Sequence, residues 1–304
     1  MKLRRIIGLA LLALAGLALT ACGLVRMAYE TAPNLSYWWI DGYVDVNGDQ
    51  TPRLREGIDR WFAWHRRTQL PAYATLLARA QREVVAPITP AAMCAWAAEA
   101  EKQLDTALEA AVPAAAELML TLTPEQLQHM ERRFAKGNEE TRADFLQTDA
   151  VERRAKALKR TAERFESVYG RLDDAQRERL AGLLATSSFD AERWLAERRL
   201  RQREVLQVLT TVSAAGRAGG DRPAALQQAQ AAARGLIERT TRSPRAEYRT
   251  YQQRLMQDNC ALSAAMHNAM SPAQRQAARA KLKGWEDDLR ALIGAGDANA
   301  AASR

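Results

Sequence analysis

An all-α fold is what this sequence predicts, and three observations carry the prediction. Apolar residues recur at helical spacing: from Pro52 onward, Leu54, Ile58, Trp61, Phe62 and His65 follow i, i+4, i+7, i+8 and i+11, one face of a helix. Segment after segment opens on a helix-start signal, a capping residue followed by proline or by a glutamine at the third helical position. With 16 glycines and 10 prolines in 304 residues, the chain is too poor in turn formers for a collagenous, low-complexity or turn-dense all-β protein. Hydrophobic residues make up 47% and charged residues 26%, which is enough apolar content to close a core and excludes wholesale disorder.

The first element stands apart from the fold. Lys2, Arg4 and Arg5 precede an apolar run, Ile6 to Ala18, too short for a comfortable membrane span. Leu19-Thr20-Ala21-Cys22 then closes the run with small residues before a cysteine. This is the layout of a secretory leader over residues 1–21, and its last four residues resemble a bacterial lipobox. The resemblance implies that Cys22 becomes the new N-terminus and carries the lipid, since the processing needs a thiol to form a thioether. Gly23, by analogy with enterobacterial-type lipoproteins, implies the outer membrane with the domain facing the periplasm. Several acyl chains, at roughly 0.8 kcal/mol per buried methylene, would make such an anchor permanent.

Residues 22–34 are expected to form a lipid-anchored tether, and residues 35–293 a single helical domain of about eight to ten helices. The domain opens on the aromatic stretch Tyr37-Trp38-Trp39-Ile40-Asp41-Gly42-Tyr43. Pro71 is expected to begin a new segment or to kink the helix that starts at Pro52. Later helices should begin near Pro90, Pro124, Val151, Asp173, Phe189, Pro223, Pro244 and Pro272, with Gly170 as a C-cap after Tyr169. The glycine-rich stretch 213–222 reads as a mobile loop within one domain, and residues 294–304 as a disordered tail.

One pattern recurs: Leu122-Thr123-Pro124-Glu125-Gln126, Leu172-Asp173-Asp174-Ala175-Gln176, Met270-Ser271-Pro272-Ala273-Gln274 and, more loosely, Val46-Asn47-Gly48-Asp49-Gln50. Each is a capping box, in which the cap oxygen accepts from the amide three residues on and the glutamine there reaches back to the cap amide. The caps lie 76, 50 and 98 residues apart, so no repeat period exists and a solenoid is excluded. The 122–126 copy, opening an amphipathic helix, resembles the Leu-Thr-x-x-Gln motif of the small periplasmic Spy/CpxP chaperones. A broader resemblance rests on the 37–45 stretch with Trp61-Phe62-Ala63-Trp64-His65-Arg66 and Leu70-Pro71-Ala72-Tyr73. These segments are similar to the DUF6279 family of proteobacterial lipoproteins, which implies a class and no reaction.

The leader implies an oxidising compartment, where Cys94 and Cys260 read as one disulfide closing a loop of 166 residues. The chain-entropy model assigns such a loop about 4–5 kcal/mol as an upper bound. Two separately buried thiols are the alternative. Asp45, Asn47 and Asp49, with Glu56 at the twelfth position, invite a calcium-loop reading; Gln50 where the loop needs glycine, and Pro52-Arg53 inside it, argue for a capped turn instead. His65 beside Arg66 and Arg67 reads as a core or boundary histidine. The carboxylate pairs Glu139-Glu140, Asp173-Asp174 and Asp287-Asp288 sit in strongly polar surroundings, without the apolar pocket that an acid–base pair needs. Neither a metal nor another cofactor is expected.

The net charge is +8, with arginine dominating the cations; they read chiefly as solvated helix faces with i,i+4 acidic partners, and a phosphate-bearing partner in an envelope compartment would be a lipid headgroup or lipopolysaccharide, not nucleic acid. The expectation is a non-enzyme that binds envelope proteins or components, in a chaperone-like, assembly or stress role. Its binding surface would draw on Trp38, Trp39, Tyr43, Trp61 and Trp64 and on Leu127, Met130 and Phe134. The alternative is a carrier or sensor holding a lipid-like ligand in an aromatic-lined helical groove.

Overall fold

The computed structural model describes residues 23–302. The leader and Cys22 lie outside the described residues. Among those described, the chain forms ten helices and no strand. They are α1 (Leu24–Val44), α2 (Thr51–Glu83), α3 (Pro90–Met119), α4 (Pro124–Phe145) and α5 (Ala150–Tyr169). Then follow α6 (Asp174–Ala185), α7 (Ala191–Arg217), α8 (Arg222–Thr241), α9 (Ala246–Asn268) and α10 (Pro272–Ala302).

The capping exchange forms at all four copies, three of them at helix starts and the Asn47 copy in the turn that precedes α2. Asn47, Thr123, Asp173 and Ser271 each accept from the amide of a glutamine, and that glutamine's Oε1 accepts from the cap amide. The local motif does not announce what happens next. The boxes come in two couples, joined head to head through their glutamines. Gln50 donates to Gln126 Oε1 at 3.1 Å and Gln126 donates back to Gln50 Oε1 at 2.7 Å. Gln176 and Gln274 repeat the exchange at 2.7 and 3.0 Å. In each couple the glutamine also reaches the carbonyl two residues before its partner's cap: Thr121 and Asp45 in the first, Ala269 and Arg171 in the second. Each junction is therefore a local pseudo-two-fold, tying the entrance of one helix to that of another far along the chain. Gln50, Gln126 and Gln176 are buried with their amides spent in this way, as buried polar groups must be.

The largest core lies behind the first junction. Val112, Ala116 and Met119 of α3, Leu120 and Leu122 of the turn, Met130 of α4, Leu209 and Val212 of α7 and Ala229 and Ala233 of α8 close on one another and on Val44. A second core, Ala162, Leu172, Leu180, Met266 and Met270, backs the other junction. Tyr37 of α1 with Leu54 and Ile58 of α2 makes a third. The long helices α2 and α10 lie side by side, and α3 bridges to α8 and α9. The sulfurs of Cys94 on α3 and Cys260 on α9 stand at disulfide distance, with the Cα atoms 5.3 Å apart.

Four boundaries differ from the sequence reading. The expected tether 22–34 is helical from Leu24, because the first turns of α1 have partners: Tyr29 packs edge-on to Phe62 with ring centroids 5.6 Å apart, and Arg26 pairs with Asp288 at 3.4 Å. Pro71 does not begin a new segment: α2 runs through it, flanked by the fully buried Leu70 and Ala74. The expected loop 213–222 shrinks to residues 218–221, since α7 continues to Arg217. Gly216 is a contact residue there, not a hinge: a Cβ on it would meet the Leu120 carbonyl oxygen at 2.1 Å. The expected tail 294–304 continues α10 as far as Ala302.

Candidate functional site

An open groove of about 600 Å³ runs between α1, α4 and α7. Trp39, Ile40, Tyr43 and Val44 of α1 and Met130 and Phe134 of α4 make its apolar walls. The rings form a chain, with Trp39 and Tyr43 centroids 5.0 Å apart and Tyr43 and Phe134 6.0 Å apart. The Arg133 guanidinium lies over the Tyr43 ring, 5.5 Å from its centre. On α7, Trp194, Arg198, Arg201 and Val205 follow i, i+4, i+7 and i+11, so one face presents two guanidinium groups between apolar ends. Tyr248 of α9 and Thr240 of α8 complete the rim.

A fixed ionic network lies behind the polar wall. Glu197, only 3% exposed, accepts from Ser243 Oγ at 2.8 Å, from Arg245 at 2.6 and 2.7 Å and from Arg201 Nε at 3.1 Å. Burial pushes its carboxyl up, but the hydrogen bonds from Arg245, Ser243 and Arg201 outweigh this and hold it below the usual carboxylate range. The Glu197 hydrogen bond in turn raises Arg245, which also pairs with Glu204 at 2.6 Å. Arg198 donates to Asn138 Oδ1 at 3.0 Å, and Asn138 donates to Gln202 at 2.7 Å. Arg201 Nη2 is buried with no partner among the described residues. The groove thus combines aromatic walls with two guanidinium groups held in place by Asn138 and Glu197, an arrangement suited to an acidic group at the end of an apolar chain.

The aromatic residues singled out from the sequence divide between two places. Trp39 and Tyr43 enter the groove. Trp38 stands on the outer side of α1, 60% exposed. Trp61 and Trp64 belong to a separate cluster on α2: Trp61 donates to the Ala107 carbonyl at 2.9 Å and stacks on His65 with centroids 4.7 Å apart, and Trp64 lies 6.1 Å from Trp61. On α4, Met130 and Phe134 reach the groove while Leu127 packs against the main core. Met130 is itself 8% exposed. The expected exposed client face on this helix is therefore mostly its packing face. Trp194, Arg198, Arg201 and Tyr248 were missed. The α7 spacing alone could have raised the first three, as an arginine-interrupted apolar stripe.

The other candidates have structural work to do. Asn47 Oδ1 accepts from the amides of Asp49 and Gln50 at 3.1 and 3.0 Å, so the 45–50 segment is the capped turn. Among the described residues no group of three or more His, Cys, Asp or Glu is placed to hold a metal ion. His267 Nε2 lies 2.8 Å from the Ala86 carbonyl, which can only accept; the ring proton is therefore on Nε2, and Nδ1 accepts from the Tyr169 hydroxyl at 2.8 Å. His65 Nδ1 meets the Tyr29 hydroxyl at 3.0 Å. Burial pushes both imidazoles below their ordinary value of 6.5.

A family model described as a family of unknown function (DUF6279) matches residues 42–218. The match runs from the end of α1 through α7 and so takes in the whole first junction and most of the groove, but stops short of Cys260 and Gln274. No curated protein and no solved structure matches the chain.

Proposed function

The chain belongs to the DUF6279 family, and from that premise we propose a lipid-anchored protein of the bacterial envelope that binds an amphiphile, without catalysis, in the groove between α1, α4 and α7. The groove carries the reading. Its volume of about 600 Å³ falls in the range of small-molecule pockets. Its aromatic walls suit an apolar chain, and Arg198 and Arg201 suit an acidic head. Anchoring at Cys22, in an outer membrane facing the periplasm, is supported by the leader and by the residues around its cysteine. The role as a binder and not an enzyme is supported by the buried histidines: both ring nitrogens of His267, and Nδ1 of His65, are engaged by tyrosine hydroxyls and a backbone carbonyl. A chaperone-like surface on α4 is less favoured, since Leu127 and Met130 are needed for packing.

The test is extraction. Protein purified from membranes in mild detergent is treated with organic solvent, and the extract is analysed by mass spectrometry beside a Thr240→Trp variant. Thr240 is an exposed rim residue, so an indole there narrows the groove without entering the core. The expected result is an acyl-chain compound at near-stoichiometric amount in the wild type and several-fold less in the variant. Equal amounts would sink the groove as the site. If no amphiphile is extracted, and suppression of a denatured client's light scattering weakens in Thr240→Trp, the groove would be a client site instead.

A further inference from the structure

Eight large hydrophobic side chains stand exposed among the described residues, and half of them are on one helix. Met27, Leu35, Trp38 and Trp39 of α1 are exposed by 60, 61, 60 and 67%. The others, Leu104, Val151, Phe189 and Met256, are scattered singly over the molecule, which is ordinary. The four on α1 form a stripe. At about 100° per residue, Met27, Leu35, Trp38 and Trp39 fall within an arc of about 120°, and the exposed Thr31 and Gly42 fill it without charge. The helix's charged residues Arg26, Glu30 and Asp41 lie outside that arc. The packing side of α1 is a different one, where Tyr37 and Val44 are buried. This helix therefore carries two apolar faces, and the fold covers one.

We propose that the second face docks on the surface of the bilayer. The inference rests on the reading of Cys22 as the lipid anchor, and three observations identify the occupant. Only Gly23 separates Cys22 from Leu24, the first residue of α1, so a lipid there holds the helix end within a few ångströms of the headgroups, about the reach of one residue. Two adjacent tryptophans on a helix that starts at an anchor are the side chains that interfaces favour, with apolar rings and an N–H that stays wet. One cation reaches the edge of the stripe: Arg55 donates at 3.2 Å to Asn34, about 20° beyond Met27 on the helix, where an anionic headgroup can meet it. None of the described helices is long and apolar enough to cross a membrane, and a one-sided apolar stripe is the pattern of a helix that lies in the interface plane. Trp39 belongs to both the stripe and the groove, so docking brings the groove mouth to the bilayer, where an amphiphile can enter without crossing water.

The experiment uses the full-length protein purified from membranes and reconstituted into phosphatidylethanolamine–phosphatidylglycerol vesicles with brominated acyl chains. Trp38→Phe/Trp39→Phe keeps the stripe apolar and removes its indoles. Tryptophan quenching by bromine should be clear in the wild type and at least about two-fold weaker in the variant. The mass of the N-terminal peptide reports lipidation separately. A lipidated Cys22 with equal quenching in both proteins overturns the docking and leaves the anchor standing. An unmodified Cys22 overturns the anchor, while the quenching difference still decides the docking. Equal quenching together with crosslinking between Trp38 positions of two molecules would assign the stripe to a second copy of the chain.

Discussion

Helix α1 ends at the junction from which α4 starts, and the two wall the same groove, yet they use apolar residues differently. On α4, Leu127, Met130 and Phe134 follow i, i+3 and i+7 and turn inward together, so one stripe serves both the core and the groove floor. On α1 the inward residues Tyr37 and Val44 are matched by an outward set that touches little else. A single apolar face on a helix is accounted for by folding; a second is surplus to it. The comparison teaches that the surplus face, not the more regular one, is where a function in addition to folding is to be sought.

The comparison breaks if the two helices respond alike to truncation. Met130→Ala on α4 should cost about 2–4 kcal/mol in denaturant unfolding, the usual penalty for deleting a buried side chain and leaving a cavity. Leu35→Ala on α1 should stay within about 0.5 kcal/mol, as for surface substitutions. A loss at Leu35 as large as that at Met130 would mean the outer face of α1 is covered by the protein itself.

A smaller effect sharpens how the helices are held together. Gln126→Ala removes one side of the buried exchange with Gln50 and strands the Thr123 amide and the Asp45 carbonyl, so it should cost about 2 kcal/mol. Gln274→Ala at the second junction should cost about 1 kcal/mol, because Gln274 is only half-buried and water can replace part of what is lost. Equal costs would show that water reaches both junctions alike.

The smallest effect separates the helices by pH. His65 sits under α1, bonded to Tyr29, whereas the histidine of α4, His129, is half-exposed. Because burial lowers the His65 pKa below 6.5, the unfolded chain takes up the proton first on acidification. Stability is therefore full above that value and declines as pH falls from it towards the lower folded-state pKa. His267 contributes with the same sign. Hydrogen exchange between pH 7 and pH 5 should show α1 loosening before α4, and His65→Asn should abolish the difference. A pH-independent α1 would remove His65 from its support.

Much of the architecture could be read directly from the chain, and the reasons are local. The starts of α3, α4, α6 and α10 fell where cap and proline or glutamine put them, because a capping box is an exchange between residues three apart. Misreadings came where distant contacts overrode local preference. Pro71 removes one backbone donor, but α2 is packed against α10, and the helix continues. The glycines of 213–222 suggested a loop; Gly216 instead lets α7 approach the Leu120 carbonyl closely. Residues 24–34 looked like a tether because Tyr29 and Arg26 find Phe62, His65 and Asp288 only once the chain is folded.

By itself, then, the sequence determined the helical class, the caps, the candidate anchor at Cys22 and the pool of aromatic residues from which a site could be built, all of which depend on a residue's immediate neighbours. Only the tertiary structure decided that the capping glutamines pair across 76 and 98 residues, that Trp39 and Tyr43 join Phe134 and Arg201 while Trp61 turns to His65, and which apolar face of α1 is left open. The physical reason is range. Helix propagation and capping are settled within about four residues, whereas burial is a property of surfaces brought together from distant parts of the chain, and a groove is the place where that burial stops.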